Sequence, residues 1–247
     1  MGEPGGRPTP GASQQAAVPE GLVPAVVHLV HTGPVLLGAY TIAELTAVDA
    51  VVDFLEVRPS DEVVAEAVRS LAARQLLVPG PGDQVQVRGD LGITVAFEQR
   101  ARMVLDARVT GTRPGEPWRV LLLPQPEKIS LQYRIDALGI HEIGLYQLGQ
   151  ALDFLAGWLP GGRRADPDPA ADTDSLLASA ERSALVTITR YTTQGSAETA
   201  GASTDLILAR HDGRLHVLTR DPADRARLIP GPAGDENVRD MLAGLLT

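Results

Sequence analysis

A change of hydrophobic period within residues 103–159 restricts the fold more than any other feature of this 247-residue chain. Apolar and polar side chains first alternate through four segments, a period of two that is typical of half-buried antiparallel strands. The period then becomes about 3.6, the spacing of one helix face, at Leu148, Leu152, Leu155 and Leu159. The pattern predicts a four-stranded antiparallel meander that is closed by an amphipathic helix.

Composition divides the rest of the chain into parts around this predicted core. Residues 1–20 are rich in Gly, Pro, Ser and Gln and lack the apolar segment of a signal peptide, so we expect a disordered tail. Residues 161–174 are polar and rich in Pro, Asp and Ala, as in a linker. They separate a first part at residues 21–160, which holds the meander, from a smaller strands-plus-helix unit at residues 175–247. The predicted fold class is α+β.

The first part begins with an apolar segment at residues 23–40. Prolines, glycines and two histidines interrupt it, so we predict a buried strand and a turn, and no membrane insertion. Thr41 and Glu44 then have the spacing of a capping box. The helix predicted after this box has one apolar face, formed by Ile42, Leu45, Val48, Val52 and Leu55.

A second helix is predicted to start after Ser60 as its N-cap, followed by a short hairpin around Val85 and Val87 and a connecting helix at residues 93–102. Helix, helix and hairpin follow one another in a winged-helix module. Three arginines would face DNA in such a module: Arg69, Arg74 and Arg88. The second helix also carries three acidic side chains, Asp61, Glu62 and Glu66. These would repel phosphates, so a winged-helix DNA-binding transcriptional regulator is the alternative function and not the first.

The second unit repeats the order of strands, hairpin and helix. It is predicted to contain a short helix at residues 175–181 capped by Asp174, a strand at residues 185–191, a mobile loop at residues 192–203, a hairpin at residues 206–218 and a closing helix at residues 237–246. The turn Asp212–Gly213 is a favoured pair for a tight hairpin.

Charge and composition exclude several kinds of chemistry. The net charge of -9 opposes the approach of polyanions, which argues against a general nucleic-acid binder and against an anionic membrane as partner. The chain has no cysteine, so disulfides, thiolate metal ligands and thiol nucleophiles are excluded, and a cytoplasmic location is expected. Lys128 is the only lysine in a chain rich in Arg, Ala and Gly, a usage typical of a GC-rich genome such as that of an actinobacterium.

Motifs for catalysis are missing from the sequence. His28 lies three residues before His31, and His211 lies five before His216, but neither pair is completed by the further ligands that zinc requires. The chain has no Gly-x-Ser-x-Gly elbow and no phosphate-binding glycine loop. We therefore expect no catalytic residue, no cofactor and no metal.

A protein is the partner that we expect first, ahead of DNA. The predicted loop at residues 192–203 and the linker at residues 161–174 flank the second sheet, where they either frame a groove for a helical ligand or are plain surface loops. Exposed apolar side chains in such a groove would mark the binding site.

The order of elements resembles a known family of binding proteins. The helix carries the phrase Ala-x-x-x-Leu-x-x-Arg-x-Leu-Leu, formed by Ala67, Leu71, Arg74, Leu76 and Leu77. It is followed by a hairpin, a connecting helix around Phe97, a meander, a Leu-rich helix, a linker and a second strands-plus-helix unit. Together with the phrase His-Asp-Gly-Arg at residues 211–214, this layout resembles the EspG family of ESX, or type VII, secretion-associated proteins over most of residues 36–247.

The resemblance implies a cytosolic chaperone that binds the helical tip of a secreted PE/PPE-type or related helical substrate and hides its apolar end before export. It supplies no catalytic motif to transfer. The contacts that we predict on this basis lie in the loop at residues 192–203 and the adjacent strand edge, chiefly at Tyr191 and Leu206.

Overall fold

The computed structural model describes residues 21–50, 58–80, 85–168, 172–194, 197–232 and 234–246. Within these residues it contains seven helices, a ten-stranded sheet and a separate two-stranded sheet. The predicted α+β class is confirmed. Among the described residues, no helix combines the length and the apolar character needed to cross a bilayer.

Elements of the first part alternate between helices and short strands. In chain order they are α1 (Leu22–Thr32), β1 (Val35–Thr41), α2 (Ile42–Ala47), α3 (Asp61–Ala73), β2 (Leu77–Pro79), β3 (Val85–Val87) and α4 (Gly89–Glu98). Strands β2 and β3 form the predicted hairpin, a two-stranded sheet of their own.

The remaining elements build most of the large sheet. They are β4 (Met103–Val109), β5 (Arg119–Pro124), β6 (Ile129–Ile135), β7 (Ile140–Gln147), α5 (Leu148–Trp158), β8 (Arg163–Arg164), α6 (Thr173–Ser179), β9 (Arg182–Gln194), β10 (Ala197–His211), β11 (Arg214–Arg220), β12 (Leu228–Pro230) and α7 (Val238–Leu245). The predicted meander, β4 to β7, and its closing helix α5 are confirmed. So are the predicted β10–β11 hairpin and the C-terminal helix.

One sheet runs through both predicted units, in the order β1-β7-β6-β5-β4-β9-β10-β11-β12, and β8 pairs with β11. The meander joins the second group of strands where β4 pairs antiparallel with β9, with Leu105 opposite Ile188. At the first end of this order, β1 is an edge strand that pairs only with β7 in the described sheet.

Two apolar clusters lie on opposite faces of the sheet. The first cluster packs α1 to α4 against the meander and includes Val26, Leu37, Leu45, Leu71, Phe97 and Leu123. The second cluster packs α5 and α7 against the other face and includes Leu105, Leu122, Leu152, Leu155, Leu208 and Leu242. Side chains that alternate along each strand supply both clusters, because successive residues of a strand point to opposite faces.

The prediction of a strand at the start of residues 23–40 is wrong, because α1 occupies Leu22–Thr32. Pro24 lies in the first turn of this helix, where its missing N–H would have no intrahelical acceptor in any case. Helix α1 then ends at Gly33, so only the second half of the segment forms the predicted strand, as β1.

Helix boundaries differ from the prediction in three places. Helix α2 ends at Ala47, and its predicted continuation through Val52 and Leu55 falls outside the described residues. The connecting helix α4 spans Gly89–Glu98, because Arg88 occupies its N-cap position. The cap of α6 is Asp172 and not Asp174, since the Asp172 carboxylate accepts hydrogen bonds from the backbone N–H groups of residues 174 and 175.

The predicted loop at residues 192–203 is wrong in most of its length. Strand β9 continues to Gln194 and β10 starts at Ala197, with Thr192 paired opposite Thr199. Threonine favours strands, but this end of the hairpin extends past β4, whose pairing with β9 ends at Arg190. The residues beyond the end of β4 can therefore be polar. As a result, the alternation of apolar and polar residues that would predict a strand is missing from this part of the sequence.

Candidate functional site

A row of cross-strand neighbours leads from the centre of the sheet to its edge. Because directly paired residues in antiparallel strands share a face, the row follows the pairing register through Ile188, Leu105, Leu122, Gln132, Gly144 and Leu36. The members from β9, β4 and β5 are buried in the second cluster. The last member, Leu36 on the edge strand β1, is 72 % exposed.

Helix α5 determines where this row becomes exposed. It starts directly after β7 and runs back along the sheet to the start of β5, where the Trp158 indole N–H donates to the Pro117 carbonyl oxygen at 3.1 Å. On its far side lies α7, whose Arg239 guanidinium contacts the Asp153 carboxylate of α5 at 2.5 Å. The helices that pack near β1, namely α1, α2 and α4, belong to the opposite face. Within the described ranges, no helix therefore lies over β1 on the α5 face.

An arginine two strands away from this uncovered strand contacts two aromatic rings. The guanidinium carbon of Arg134 is 3.9 Å from the centroid of the Phe154 ring and 5.3 Å from that of the Tyr146 ring. Arg134 comes from β6, Tyr146 from β7 and Phe154 from α5, so three elements hold the cation in place. We name these three residues, together with Gly144 and Leu36, the edge surface.

Gly144 allows the Tyr146 ring to fold back onto the sheet. A β-carbon at position 144 would lie 2.9 Å from Cε2 of that ring, closer than carbon atoms approach without displacement. A glycine is therefore required at this place for the observed ring position. The ring in turn supports the guanidinium of Arg134, so the shape of the edge surface depends on the missing side chain.

A β-bulge in β1 explains why Leu36 is exposed. The pairing of β1 with β7 shifts between Leu36 and Gly38, and Gly38 has a φ of 103°, a conformation that favours glycine. The bulge lets Leu37 enter the first cluster while Leu36 points to the α5 face. Leu36 and Leu37 thus point to opposite faces of the edge strand. Because the described helices near β1 cover only the face of Leu37, Leu36 is exposed to solvent.

The two partner-binding residues predicted from the sequence do not share a surface. Tyr191 packs against the first cluster, on the face of α1 to α4. Leu206 belongs to the second cluster and is only 6 % exposed. Because they lie on opposite faces of the sheet, one ligand helix cannot contact both. The edge surface is thus a separate candidate site, which the sequence did not predict.

The three arginines of the DNA-binding alternative are mostly engaged within the protein. Arg69 lies 2.6 Å from the Glu66 carboxylate, and Arg74 lies 2.7 Å from the Glu44 carboxylate. Arg88 donates to the side-chain oxygen of Gln86 at 3.3 Å. Paired arginines offer little net positive charge to phosphates. The regulator remains an alternative prediction that the charge arrangement does not favour.

The histidines do not come together as a ligand set. His28 and His31 are exposed on α1, and the rings of His211 and His216 lie 6.2 Å apart on the β10–β11 hairpin. Burial lowers the pKa of His141, the fifth histidine, below its ordinary value of 6.5. No group of three or more His, Asp or Glu side chains in the described ranges is arranged to hold a metal ion.

A cleft of about 690 Å³ lies between the C-terminal end of α5, β8 and the N-terminus of α7. Its charged lining carries both signs, from Arg163, Arg164, Asp166, Asp235, Glu236 and Arg239. Since these charges are mixed and few apolar side chains line the cleft, it offers neither a charged site of one sign nor an apolar one. The edge surface is the better candidate, because it combines an exposed leucine and two half-buried aromatic rings with the cation of Arg134.

One signal in the sequence points to the edge surface in hindsight. Residues 35–38 read Val-Leu-Leu-Gly, and two leucines in a row before a glycine are consistent with a bulge that sends them to opposite faces.

No protein-family model matches the chain, and no curated protein shows significant sequence similarity to it.

Proposed function

We propose that this protein is a non-enzymatic, cytoplasmic chaperone or adaptor that binds an apolar helical segment of a partner protein on the edge surface. The observation that carries the proposal is Leu36, a leucine that is exposed on the α5 face of the edge strand β1 and is paired opposite Gly144, the residue over which the Tyr146 ring folds. The resemblance to the EspG family suggests that the partner is a helical substrate of type VII secretion.

The width of the sheet beside α5 suits a helix. Helix α5 contacts β5, β6 and β7, and neighbouring strands lie about 4.8 Å apart, so β1 and the part of β7 that α5 leaves open present a strip of up to about 10 Å. This width is about the diameter of one α-helix with its side chains, and about the distance between two packed helices. A helical ligand would lie next to α5 and on the sheet, as an additional member of the same helical layer.

Chemistry also favours a protein ligand over the other classes. An apolar side chain such as Leu36 gains about 1.5–3 kcal/mol when it is removed from water. Aromatic residues and arginine are the side chains most enriched where protein interfaces bind strongly. The overall charge of -9 disfavours nucleic acid.

The experiment is a pull-down of the tagged protein from its own cytosol at low and moderate salt, with mass spectrometry of retained protein and nucleic acid. Leu36→Asp is the test variant. Val63→Asp is the matched control, since Val63 is also exposed, at 51 %, and lies in the first turn of α3 on the other face, where an added carboxylate suits the helix dipole.

We expect the wild type and Val63→Asp to retain the same helical protein at both salt concentrations. The amount retained by Leu36→Asp should be at least about tenfold smaller. Equal retention by all three proteins would show that the edge surface is not the binding site. Recovery of DNA that is lost as salt rises would instead favour the winged-helix regulator.

A further inference from the structure

Arg134 has no carboxylate partner within the described residues, unlike Arg119 and Arg182 of the same sheet. Arg119 lies 2.8 Å from Asp106, and Arg182 lies 2.8 Å from Glu116. The contacts of Arg134 within the described part of the chain are the two aromatic rings, and its Nε is buried without a hydrogen-bond acceptor.

A carboxylate is available to Arg134 but is not used. Glu142 is its direct neighbour across the β6–β7 pair and lies on the same face, a position in which opposite charges commonly pair. The guanidinium instead lies over the Phe154 ring, and Glu142 remains exposed. Within the described residues, the guanidinium thus contacts the rings and forms no ion pair with Glu142.

A guanidinium held in this way is prepared for an external acceptor. Its planar fork of N–H donors matches a carboxylate in a bidentate geometry. The rings restrict its side-chain rotamers before binding, which lowers the entropic cost of forming the pair. The two Nη groups are not among the buried unpaired atoms, so they are the donors that an acceptor from a partner can reach.

We propose that the partner helix carries an acidic side chain whose carboxylate binds the guanidinium of Arg134 when the apolar face of the helix packs on Leu36 and Tyr146. This inference rests on the proposed function and specifies the chemistry of its ligand. The pair between α7 and α5, Arg239 with Asp153, is the same kind of contact on the other side of α5.

Glu142 restricts where the acidic group can lie. A carboxylate on the β7 side of Arg134 would meet Glu142 as a like charge, so the accepted position lies toward Phe154 and α5. The overall charge of -9 further means that long-range attraction contributes nothing to an acidic ligand. Recognition of the carboxylate is therefore local and depends on Arg134.

The test uses the full chain and a panel of synthetic 20-residue amphipathic helical peptides. All share one Leu/Ala face, and each carries a single Glu at a different position flanking that face, or Gln at the same position. Dissociation constants come from fluorescence anisotropy. Arginine-selective ¹⁵N labelling follows the Nε–H resonance of Arg134, which is assigned by its loss in Arg134→Lys.

We expect at least one Glu peptide to bind about tenfold more tightly than its Gln twin and to shift the Arg134 resonance. Arg134→Gln removes this preference and leaves binding of the Gln twin nearly unchanged. Glu142→Gln increases the preference, because it removes a like charge. Arg163→Gln, which changes an exposed arginine on β8, is the matched control and keeps the preference.

Equal affinities of all Glu and Gln twins for the wild type would overturn the carboxylate inference and leave the helix-binding proposal standing, provided that Leu36→Asp weakens both twins. Failure of every peptide to bind would count against both proposals. A preference for Glu that survives in Arg134→Gln would also overturn the assignment of Arg134.

Discussion

The two sides of α5 differ in what lies beside that helix on the sheet. On one side α7 buries Val238 and Leu242 in the second cluster and joins α5 through Arg239 and Asp153. On the other side the strands β7 and β1 continue the sheet, and Leu36 is exposed there. The same layer is thus closed by an intramolecular helix on one side and open on the other, within the described residues.

The covered side shows which contacts a helix of this protein makes when it packs beside α5 on the sheet. Helix α7 places apolar residues toward the sheet and an arginine toward a carboxylate of α5. The open side offers the complementary groups, an exposed leucine, two rings and an arginine without a carboxylate. A partner helix with apolar residues and an acidic side chain would complete the layer in the same way.

The covered side should respond most strongly to truncation. Leu242→Ala removes a fully buried side chain of α7 and should lower the free energy of unfolding by about 2–5 kcal/mol, from lost burial and the cavity left behind. Leu36→Ala on the open side should change it by less than about 0.5 kcal/mol. Urea unfolding of both variants measures the contrast, and equal losses would mean that Leu36 is not exposed in solution.

Gly144→Ala should give the next largest effect. The added methyl group meets the Tyr146 ring at 2.9 Å, and the displacement that follows should cost about 1–3 kcal/mol of unfolding free energy and weaken partner binding. Thermal unfolding and the pull-down measure the two effects. The control is Gly157→Ala in α5, where nothing lies within 4 Å of the new β-carbon. Because alanine favours helices, this control should raise stability by about 0.5–1 kcal/mol.

The smallest effect concerns pH and the covered face of β7. Burial lowers the pKa of His141 below 6.5, so the unfolded chain takes up this proton more readily than the folded protein. The contribution of His141 to the free energy of unfolding is therefore fully present above about pH 6.5. It decreases as the pH drops through the folded-state pKa of this residue.

Replacement by a neutral residue tests this effect. His141→Gln should reduce the loss of stability between pH 7.5 and about pH 5 in urea titrations. The part that comes from His216, whose pKa burial also lowers, should remain. An unchanged pH dependence would contradict the burial of His141. His28→Gln, at an exposed position of α1, is the control.

The meander could be predicted from the sequence because its signals are local. Alternation in β4 to β7 and the helical spacing of Leu148, Leu152 and Leu155 each report a single element. The capping box of Thr41 and Glu44 was also readable, since both of its hydrogen bonds lie within four residues, and the structure contains it. Helix α1 was missed because Pro24 reads as a breaker unless its place in the first turn is known.

The edge surface could not be predicted in the same way. Its residues come from β1, β6, β7 and α5, which are brought together only by the strand order and by the bulge at Leu36 and Gly38. A sequence pattern reports which face of one strand is apolar, but not which strand lies at the edge of the sheet. For the same reason the sequence predicts Tyr191 and Leu206 as contacts of one partner, although they lie on opposite faces of the sheet.

The most direct test of the central claim is site-specific photo-crosslinking in the native cytosol. A photoreactive phenylalanine analogue is placed at position 36 or, as control, at position 63, and crosslinked peptides are identified by mass spectrometry. We expect position 36 to crosslink to a helical segment of one partner protein and position 63 not to do so. Crosslinks to that partner from position 63 alone would contradict it.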